Sequence, residues 1–221
     1  MKSVETIRAA MRLYAVTDSS WLGDRWLEEP VEEAIRGGVT FVQTREKKLD
    51  YEDFLDEAFV LKALCGRFKI PFVVNDNLEI ALECGADGVH VGQSDCSVTT
   101  ARNKLGPDKI IGVSAKTVEQ ALKAQSDGAD YLGVGAMFTT QTKEDPLYTS
   151  IETLKAICSA VTIPVVAIGG IKVDNIAQLA GTGIDGVAVV SGIFAQKHIT
   201  DATRALREQV DRICGEAVLE R

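Results

Sequence analysis

The sequence lacks the features that mark several large classes of protein. It has no run of about 18 apolar residues and no long apolar segment near its beginning, so a membrane-spanning helix or an export signal is not expected. It has no cluster of lysine and arginine, and its net charge at pH 7 is −8. Binding to nucleic acid or to an anionic membrane through bulk charge is therefore not expected either. We expect a cytoplasmic protein whose partners are small molecules.

Cysteine and histidine are few, and their spacing offers little chemistry. The five cysteines are odd in number and form no C-x-x-C pair, which predicts reduced thiols. Neither of the two histidines has a serine or cysteine partner in a recognisable nucleophile motif, so triad chemistry is not supported. His90 falls within a strand pattern and is expected to be an interior residue with satisfied hydrogen bonds. His198 is expected on the surface.

The chain instead shows a regular alternation of strand and helix patterns. Short apolar runs bounded by turn residues alternate with helical patterns such as YEDFLDEAFVLKALCG, in which apolar residues recur at i, i+3 and i+4. The runs are continuously apolar, which is typical of strands covered on both faces. The eight predicted strands begin at Arg12, Val39, Pro71, Gly88, Lys109, Tyr131, Pro164 and Gly186.

A short repeat precedes every second predicted strand. Each copy has a glycine, then a small or branched residue, then Asp or Thr, and the glycine fits the left-handed position that closes a helix. With no linker in 221 residues, the pattern predicts an α/β fold, a single (β/α)8 barrel domain over residues 1–221 with a short helix before strand one. The four copies are GVTFVQ at Gly38, GADGVHVG at Gly85, GADYLGVG at Gly128 and GIDGVAVV at Gly183.

Two carboxylates follow neighbouring strands, where a barrel of this kind places its active site. Asp76 and Asp95 come just after strands three and four, so both are expected to point into one mouth, where they would repel each other. Mg²⁺ would relieve this repulsion, since it binds one or two carboxylates and takes further oxygens from water and phosphate. The alternative is that Asp76 caps the helix after it and Asp95 caps the helix near Ser97.

Cations are expected on the same face. Arg45, Lys47 and Lys143 supply more positive charge than two aspartates need, and a diphosphate would use all three. Lys47 could instead belong to a solvated run of charges. Lys143 has a rival role as a Schiff-base lysine, which would require a dry, apolar pocket.

A second anion site is indicated after the last two strands. AIGGI follows strand seven and VVSGIF follows strand eight, which places Gly170, Ser191 and Gly192 where barrel enzymes commonly cradle a monophosphate with backbone N–H groups. The alternative is that these glycines serve only the geometry of a turn.

Taken in order, these motifs resemble those of the thiamine phosphate synthase family. The resemblance implies a (β/α)8 barrel that uses Mg²⁺ and joins a hydroxymethylpyrimidine diphosphate to a thiazole phosphate, with release of diphosphate. Two positions depart from the family pattern: Thr44, where leucine is common, and Thr139, where proline usually follows the phenylalanine. The matching motifs, which cover nearly the whole chain, are LYAVTD, QTREK, VNDNLEIALECGADGVHVGQSD, IGVSA, TTQTK, VVAIGGI and VVSGIF.

The resemblance also implies a role for each matching residue. Asp76 and Asp95 would hold Mg²⁺, and Arg45, Ser114 and Lys143 would carry the catalysis. The residues that would bind the pyrimidine diphosphate are Gln43, Thr44, Arg45, Glu46, Lys47, Asn75, Ser114 and Lys143. Those that would bind the thiazole phosphate are Thr140, Gln141, Thr142, Gly170, Val190 and Ser191.

Two other functions stay open at this point. A thiazole tautomerase is a related barrel with a similar phosphate site, but its proton transfer should need a catalytic acid or base rather than the Arg, Lys and two Asp found here. The other is a non-catalytic protein that binds thiamine phosphates and signals to a partner, which turnover of both substrates would separate from an enzyme. The oligomeric state is also open, with a homo-oligomer as one option.

Overall fold

Eight parallel strands close into a barrel in the computed structural model, which describes residues 3–21, 25–139 and 148–215. Each strand pairs with the next one along the chain, and the last pairs with the first, so the predicted fold is confirmed. The strands are β1 Leu13–Val16, β2 Phe41–Thr44, β3 Phe72–Asn75, β4 Gly88–Val91, β5 Ile110–Ala115, β6 Tyr131–Val134, β7 Val165–Ile168 and β8 Gly186–Val189.

Helices connect the strands and cover the outside of the barrel. Within the described ranges, none of them has the length and apolar character needed to traverse a bilayer. The helices are α1 Val4–Ala10, α2 Glu28–Arg36, α3 Tyr51–Phe68, α4 Leu78–Glu83, α5 Val98–Leu105, α6 Val118–Ser126, α7 Ile151–Ala160, α8 Ser191–Phe194 and α9 Ile199–Gly215, with 3-10 turns at Ser19–Trp21 and Ile176–Leu179.

The core has two parts, one between the strands and the helices and one inside the barrel. The inner part contains three aromatic rings, Tyr14, Phe41 and Tyr131, in edge-to-face contact with centroids 4.6 to 5.9 Å apart. Ile7 of α1 and Met11, both buried, pack against this inner cluster. The helix before strand one therefore closes the N-terminal end of the barrel.

The repeat before every second strand forms a hydrogen-bonded clamp to the strand that precedes it. At Asp130 the backbone N–H donates to the carbonyl of Ile111 at 2.8 Å, and the carboxylate accepts the N–H of Ile111 at 2.7 Å. The side chain thus satisfies a strand-end donor that would otherwise be buried without a partner. The equivalent clamps join Thr40 to Leu13, Asp87 to Phe72 and Asp185 to Val165.

Each clamp follows a glycine in the left-handed region, as the helix-closing role requires. All three clamp carboxylates also pair with cations: Asp130 with Arg102 at 2.7 Å, Asp185 with Arg8 of α1, and Asp87 with Lys62 at 2.8 Å. The second pair ties the closing helix to the bottom of β8. The glycines are Gly38, Gly85, Gly128 and Gly183, with φ of 111°, 66°, 97° and 85°.

The cysteines and histidines lie as the sequence predicts. None of the five cysteines forms a disulfide in the described part of the chain, and burial raises the pKa of Cys65 to about 12. His90 is buried inside the barrel and His198 is exposed on the surface. None of the thiols lines the cavity described next.

Candidate active site

A cavity of about 230 Å³ opens at the C-terminal ends of the strands, the face that carries the active site in barrels of this type. Side chains and backbone from both halves of the barrel line it. The residues predicted for the pyrimidine diphosphate, the metal and the thiazole phosphate therefore meet in one space. The predicted residues that line it are Gln43, Arg45, Lys47, Asn75, Asp76, Asp95, Ser114, Gly170, Val190 and Ser191.

Three predicted residues, Thr44, Glu46 and Gly192, do not line this cavity. Thr44 is fully buried, and its hydroxyl donates to Glu57 of α3 at 3.1 Å, on the outer side of the barrel. Glu46 accepts a hydrogen bond from Ser19 at 2.8 Å, and its other oxygen is buried without a partner among the described residues. Burial and the nearby charge of Glu46 raise the pKa of Glu57 to about 7. The acidic side chains of Glu46 and Glu57 therefore lie close to each other near the C-terminal end of β2.

Four further predicted residues, Thr140, Gln141, Thr142 and Lys143, lie outside the described residues. Their proposed contacts with phosphate, and the rival Schiff-base role of Lys143, stay predictions. Thr139, one of the two departures from the family pattern, is described and is exposed.

Asp76 and Asp95 are neighbours at the mouth of the cavity. The backbone N–H of Asp76 donates to the carbonyl of His90 at 2.8 Å, and Asp76 has a φ of 62°. Desolvation of the carboxyl by the cavity wall, together with the hydrogen bond and charge of Asp95, raises the pKa of Asp76 to about 6. The helix-cap alternative is wrong for both residues, because Asn77 caps α4 and Ser97 caps α5.

Cations face this carboxylate pair across the mouth. The backbone N–H of Arg45 donates to Thr17 at 2.9 Å, and its guanidinium lies 3.9 Å from the carboxylate of Asp18. These contacts hold Arg45 against the end of β1. Lys47 and Lys116 also line the cavity. Lys116 directly follows β5 and was missed by the sequence analysis, although its position after a strand end could have identified it.

The loops after β7 and β8 supply backbone groups on the other side of the cavity. Gly169 and Gly170 have φ of 99° and 66°, and a Cβ on Gly170 would lie 2.4 Å from the carbonyl oxygen of Thr139. Glycine is therefore required at Gly170 by both conformation and space. The helix α8 begins at Ser191, so its first N–H groups have no acceptor within the helix.

A chain of hydrogen bonds, here called the inner polar chain, runs along the floor of the cavity. The amide of Gln43 donates to the hydroxyl of Tyr14, which lies 2.8 Å from the hydroxyl of Tyr131. The Tyr131 hydroxyl lies 3.0 Å from His90 Nδ1, and His90 Nε2 lies 3.0 Å from Ser114 Oγ. His90 is thus a satisfied interior histidine, as predicted, and burial lowers its pKa to about 4.

The sequence analysis missed the two tyrosines of this chain because they lie in otherwise apolar strand runs. A buried tyrosine hydroxyl needs a hydrogen-bond partner, so a tyrosine in such a run is a usable sign of an interior polar group.

A family model described as thiamine monophosphate synthase matches residues 13–193. The chain belongs to this family. It is 48% identical over 201 residues to a thiamine-phosphate synthase of Clostridium botulinum, covering 91% of this chain and 94% of that relative. The thiamine-phosphate synthase of Ruminiclostridium cellulolyticum is 51% identical over 196 residues, covering 89% of this chain and 93% of that relative.

A solved structure of a thiamine monophosphate synthase relative has the same architecture. Thiamine phosphate pyrophosphorylase from Pyrococcus furiosus superposes with a TM-score of 0.85 at 36% sequence identity, covering 94% of this chain and 98% of that chain. The similarity therefore extends over nearly the whole chain.

The carboxylate pair suits the chemistry of Mg²⁺. Asp76 and Asp95 offer only oxygen donors, and burial, together with the neighbouring Asp95, raises the pKa of Asp76. Mg²⁺ commonly takes one or two carboxylates and completes its shell with water and substrate phosphate. In the part of the chain that the structure describes, no group of three or more metal-binding side chains occurs. Two carboxylates would leave most of the coordination positions of such an ion to water and to substrate oxygens.

Proposed function

We propose that this chain joins a hydroxymethylpyrimidine diphosphate to a thiazole phosphate, giving thiamine phosphate and diphosphate. The observation that carries the proposal is the single cavity in which a carboxylate pair and cations lie on one side and a glycine-lined phosphate cradle lies on the other. The names of the similar proteins, thiamine-phosphate synthase and thiamine phosphate pyrophosphorylase, support the same reaction.

The diphosphate belongs at the charged side of the cavity. Arg45 binds it through a guanidinium fork and Lys47 through a mobile ammonium, while Lys143, from its position in the motif TTQTK, adds a third cation. Asp76 and Asp95 would hold Mg²⁺. When bound there, Mg²⁺ supplies positive charge that neutralises the leaving diphosphate.

The reaction then needs positioning and charge more than proton transfer. The diphosphate leaves with the electron pair of the C–O bond, and the amino group of the pyrimidine donates electrons to the methylene cation that results. The thiazole nitrogen gives its lone pair to the methylene carbon. No proton has to be removed in either step, so no general base is required, which agrees with a buried His90 whose pKa is lowered to about 4.

Apolar walls protect the cation between these steps. Val166 and Ile168 of β7 and Ala188 of β8 line the cavity on the strands that lead into the phosphate cradle. They exclude water from the methylene carbon and leave the thiazole nitrogen as the available nucleophile. Gly170 and Ser191 hold the thiazole phosphate, so that the nitrogen is positioned for attack.

The test is an assay of diphosphate release with both substrates, with and without Mg²⁺. We expect release that requires both substrates and Mg²⁺, with thiamine phosphate formed in equal amount. Binding of both ligands without turnover would favour a non-catalytic binding protein. Conversion of the thiazole between tautomers without coupling would favour a tautomerase. Either result contradicts the proposed coupling reaction.

A further inference from the structure

The loops after β1 and β2 stay joined beyond the ends of their strands. The backbone N–H of Thr17 donates to the carbonyl of Gln43 at 2.9 Å, and the Thr17 hydroxyl accepts the N–H of Arg45 at 2.9 Å. Thr17 is fully buried, so these hydrogen bonds are shielded from water. The two loops therefore leave the barrel side by side.

The next two residues of the β1 loop contact the next two residues of the β2 loop. One carboxylate oxygen of Asp18 lies 3.9 Å from the guanidinium of Arg45, while the other accepts the N–H of Ser20 at 3.0 Å. The hydroxyl of Ser19 donates to the carboxylate of Glu46 at 2.8 Å. This Ser19–Glu46 hydrogen bond, here called the loop bridge, is the outermost of the contacts between the two loops.

Glu46 lies between the two cations of the β2 loop. Arg45 and Lys47 line the cavity, whereas Glu46 does not and contacts the β1 loop instead. Because Glu46 shares a peptide bond with each cation, a hydrogen bond that holds Glu46 also restricts the backbone of both neighbours. The loop bridge therefore fixes the segment that presents Arg45 and Lys47 to the cavity.

The loop bridge also keeps a negative charge turned away from the cavity. A carboxylate that faced a bound diphosphate would repel it. Burial raises the pKa of Glu46, and the hydrogen bond from Ser19 opposes this shift because it favours the charged carboxylate. The second carboxylate oxygen of Glu46 is buried without a partner among the described residues, so Ser19 is the side chain there that compensates the buried charge by a hydrogen bond.

We propose that Ser19 and Glu46 are positioning residues for the diphosphate end of the site. They act through the backbone of Arg45 and Lys47 and hold both cations in place before the substrate arrives. Binding then does not have to order this loop, and the free energy that ordering would cost is saved. The inference rests on the proposed function for the identity of the diphosphate.

The experiment measures the Kd of inorganic diphosphate in the presence of Mg²⁺, by calorimetry, for the wild type, Ser19→Ala and Glu46→Ala. We expect each variant to raise this Kd by about tenfold, the effect of losing one hydrogen bond to a charged group. In steady-state kinetics the KM for the pyrimidine diphosphate should rise by a similar factor. The KM for the thiazole phosphate should stay unchanged, because its cradle lies in the loops after β7 and β8.

A double variant and a conservative variant test whether the two residues act as one unit. Ser19→Ala combined with Glu46→Ala should bind diphosphate as weakly as either single variant, since all three lack the same hydrogen bond. Glu46→Gln keeps an oxygen that accepts from Ser19 and should retain most of the affinity. Losses that add in the double variant, or a Glu46→Gln variant as weak as Glu46→Ala, would overturn the positioning role.

Glu208→Ala is the matched control. Glu208 is exposed on α9, so this variant also loses a glutamate and should keep the wild-type Kd and both KM values. A loss of diphosphate affinity in Glu208→Ala, or an equal rise of both KM values in the Ser19 and Glu46 variants, would indicate a general structural effect and overturn the inference.

Binding and turnover separate this inference from the proposed function. A wild type that binds diphosphate but forms no thiamine phosphate contradicts the reaction, and the Kd values of the variants still decide the role of the loop bridge. Folded Ser19→Ala and Glu46→Ala variants that bind diphosphate as the wild type does overturn the inference, even if the protein is an active enzyme. A wild type that does not bind diphosphate contradicts both.

Discussion

Tyr131 occupies the space that the missing side chain of Gly112 leaves on the neighbouring strand. A Cβ on Gly112 would lie 2.1 Å from Cζ of Tyr131 and 2.3 Å from its hydroxyl oxygen, and the two residues are register partners. Gly112→Ala must therefore push the buried ring away. We expect a loss of about 1–3 kcal/mol in the free energy of unfolding, measured in urea, and weaker binding of the pyrimidine diphosphate.

Gly66→Ala is the control for this substitution. Gly66 is exposed on α3, and nothing lies within 4 Å of its Cβ position. This change should stabilise the protein by about 0.5–1 kcal/mol, since alanine is the better helix former. A Gly112→Ala variant as stable as the wild type would mean that the ring can move at no cost.

Asp130 should contribute to stability without contributing to the reaction. Asp130→Ala leaves the N–H of Ile111 buried without an acceptor and removes the carboxylate that pairs with Arg102, which we expect to cost about 2–3 kcal/mol of unfolding free energy. Its kcat should stay at the wild-type value, because the clamp lies at the opposite end of β6 from the cavity. Asp127→Ala, which removes an exposed pair with Lys123, should change stability by about 0.5 kcal/mol or less. Equal losses of unfolding free energy in the two variants would contradict a stabilising role for the clamp at Asp130.

Glu57 makes stability depend on pH. Its pKa is raised from 4.5 to about 7, so the folded state binds more protons than the unfolded state between these two values. Stability that is present below about pH 4.5 is therefore lost as the pH rises through 7. Glu57→Gln should remove this loss and stabilise the protein at pH 8 by on the order of 1–2 kcal/mol, after allowance for partial exposure of the side chain.

Urea unfolding at pH 5 and pH 8 measures this effect. The gain from Glu57→Gln should be larger at pH 8 than at pH 5. Asp56→Asn, on the exposed face of the same helix, should show no such difference. A gain that is the same at both values would show that the carboxyl of Glu57 is not protonated in the folded state.

The carboxylate pair predicts a specific response to Mg²⁺. Asp76→Asn and Asp95→Asn remove charge but not volume, so each should raise the Mg²⁺ concentration needed for half-maximal turnover while the unfolding curve changes little. Titration of activity with Mg²⁺ measures the shift. Asp201→Asn, exposed on α9, should behave as the wild type. Wild-type activity of both site variants at limiting Mg²⁺ would exclude a metal role for the pair.

Substitutions at the two anion sites should change different kinetic parameters. Lys143→Ala removes a charge that stabilises the departing diphosphate, so we expect kcat to fall about 100-fold or more, on the order of 3 kcal/mol. Ser191→Ala removes one hydrogen bond to a phosphate whose charge hardly changes. Its effect should fall on KM for the thiazole, by about 1.5–3 kcal/mol or less.

Steady-state kinetics that vary each substrate in turn distinguish these effects. Lys48→Ala is a matched control, because Lys48 is an exposed lysine that does not line the cavity. An increase in KM for the pyrimidine diphosphate alone in Ser191→Ala would show that the two anion sites were assigned the wrong way round.

The barrel could be predicted from sequence because its strands and helices carry strong local patterns. Continuous apolar runs indicate strands covered on both faces, and the glycine-to-Asp repeat recurs at a fixed place before every second strand. The reason for the repeat was not predictable. The acceptor role of Asp130 involves Ile111, nineteen positions away, and emerges only when the strands are paired.

The position of the site could be predicted from sequence because its residues follow the ends of predicted strands, but the direction in which each side chain points could not. Inward and outward side chains alternate along a strand, so Gln43 faces the interior and Thr44 faces α3, which a residue-by-residue resemblance does not reveal. The helix caps show a similar limit. Asp76 precedes α4 closely enough in sequence to cap it. Its backbone N–H instead donates to the carbonyl of His90, and Asn77 is the residue that caps α4.

The closure of the barrel by α1 also has a kinetic consequence. Because Ile7 and Met11 seal the N-terminal end, reactants and products share one entrance at the other end. Gln43 and Ser114, which are predicted to bind the pyrimidine, lie at the two ends of the inner polar chain on the cavity floor, below the charged mouth. A reactant bound near the entrance would block the path of one that must reach the floor. Arrivals should therefore be ordered, with the pyrimidine before the thiazole, and thiamine phosphate can depart only after the diphosphate has cleared the way.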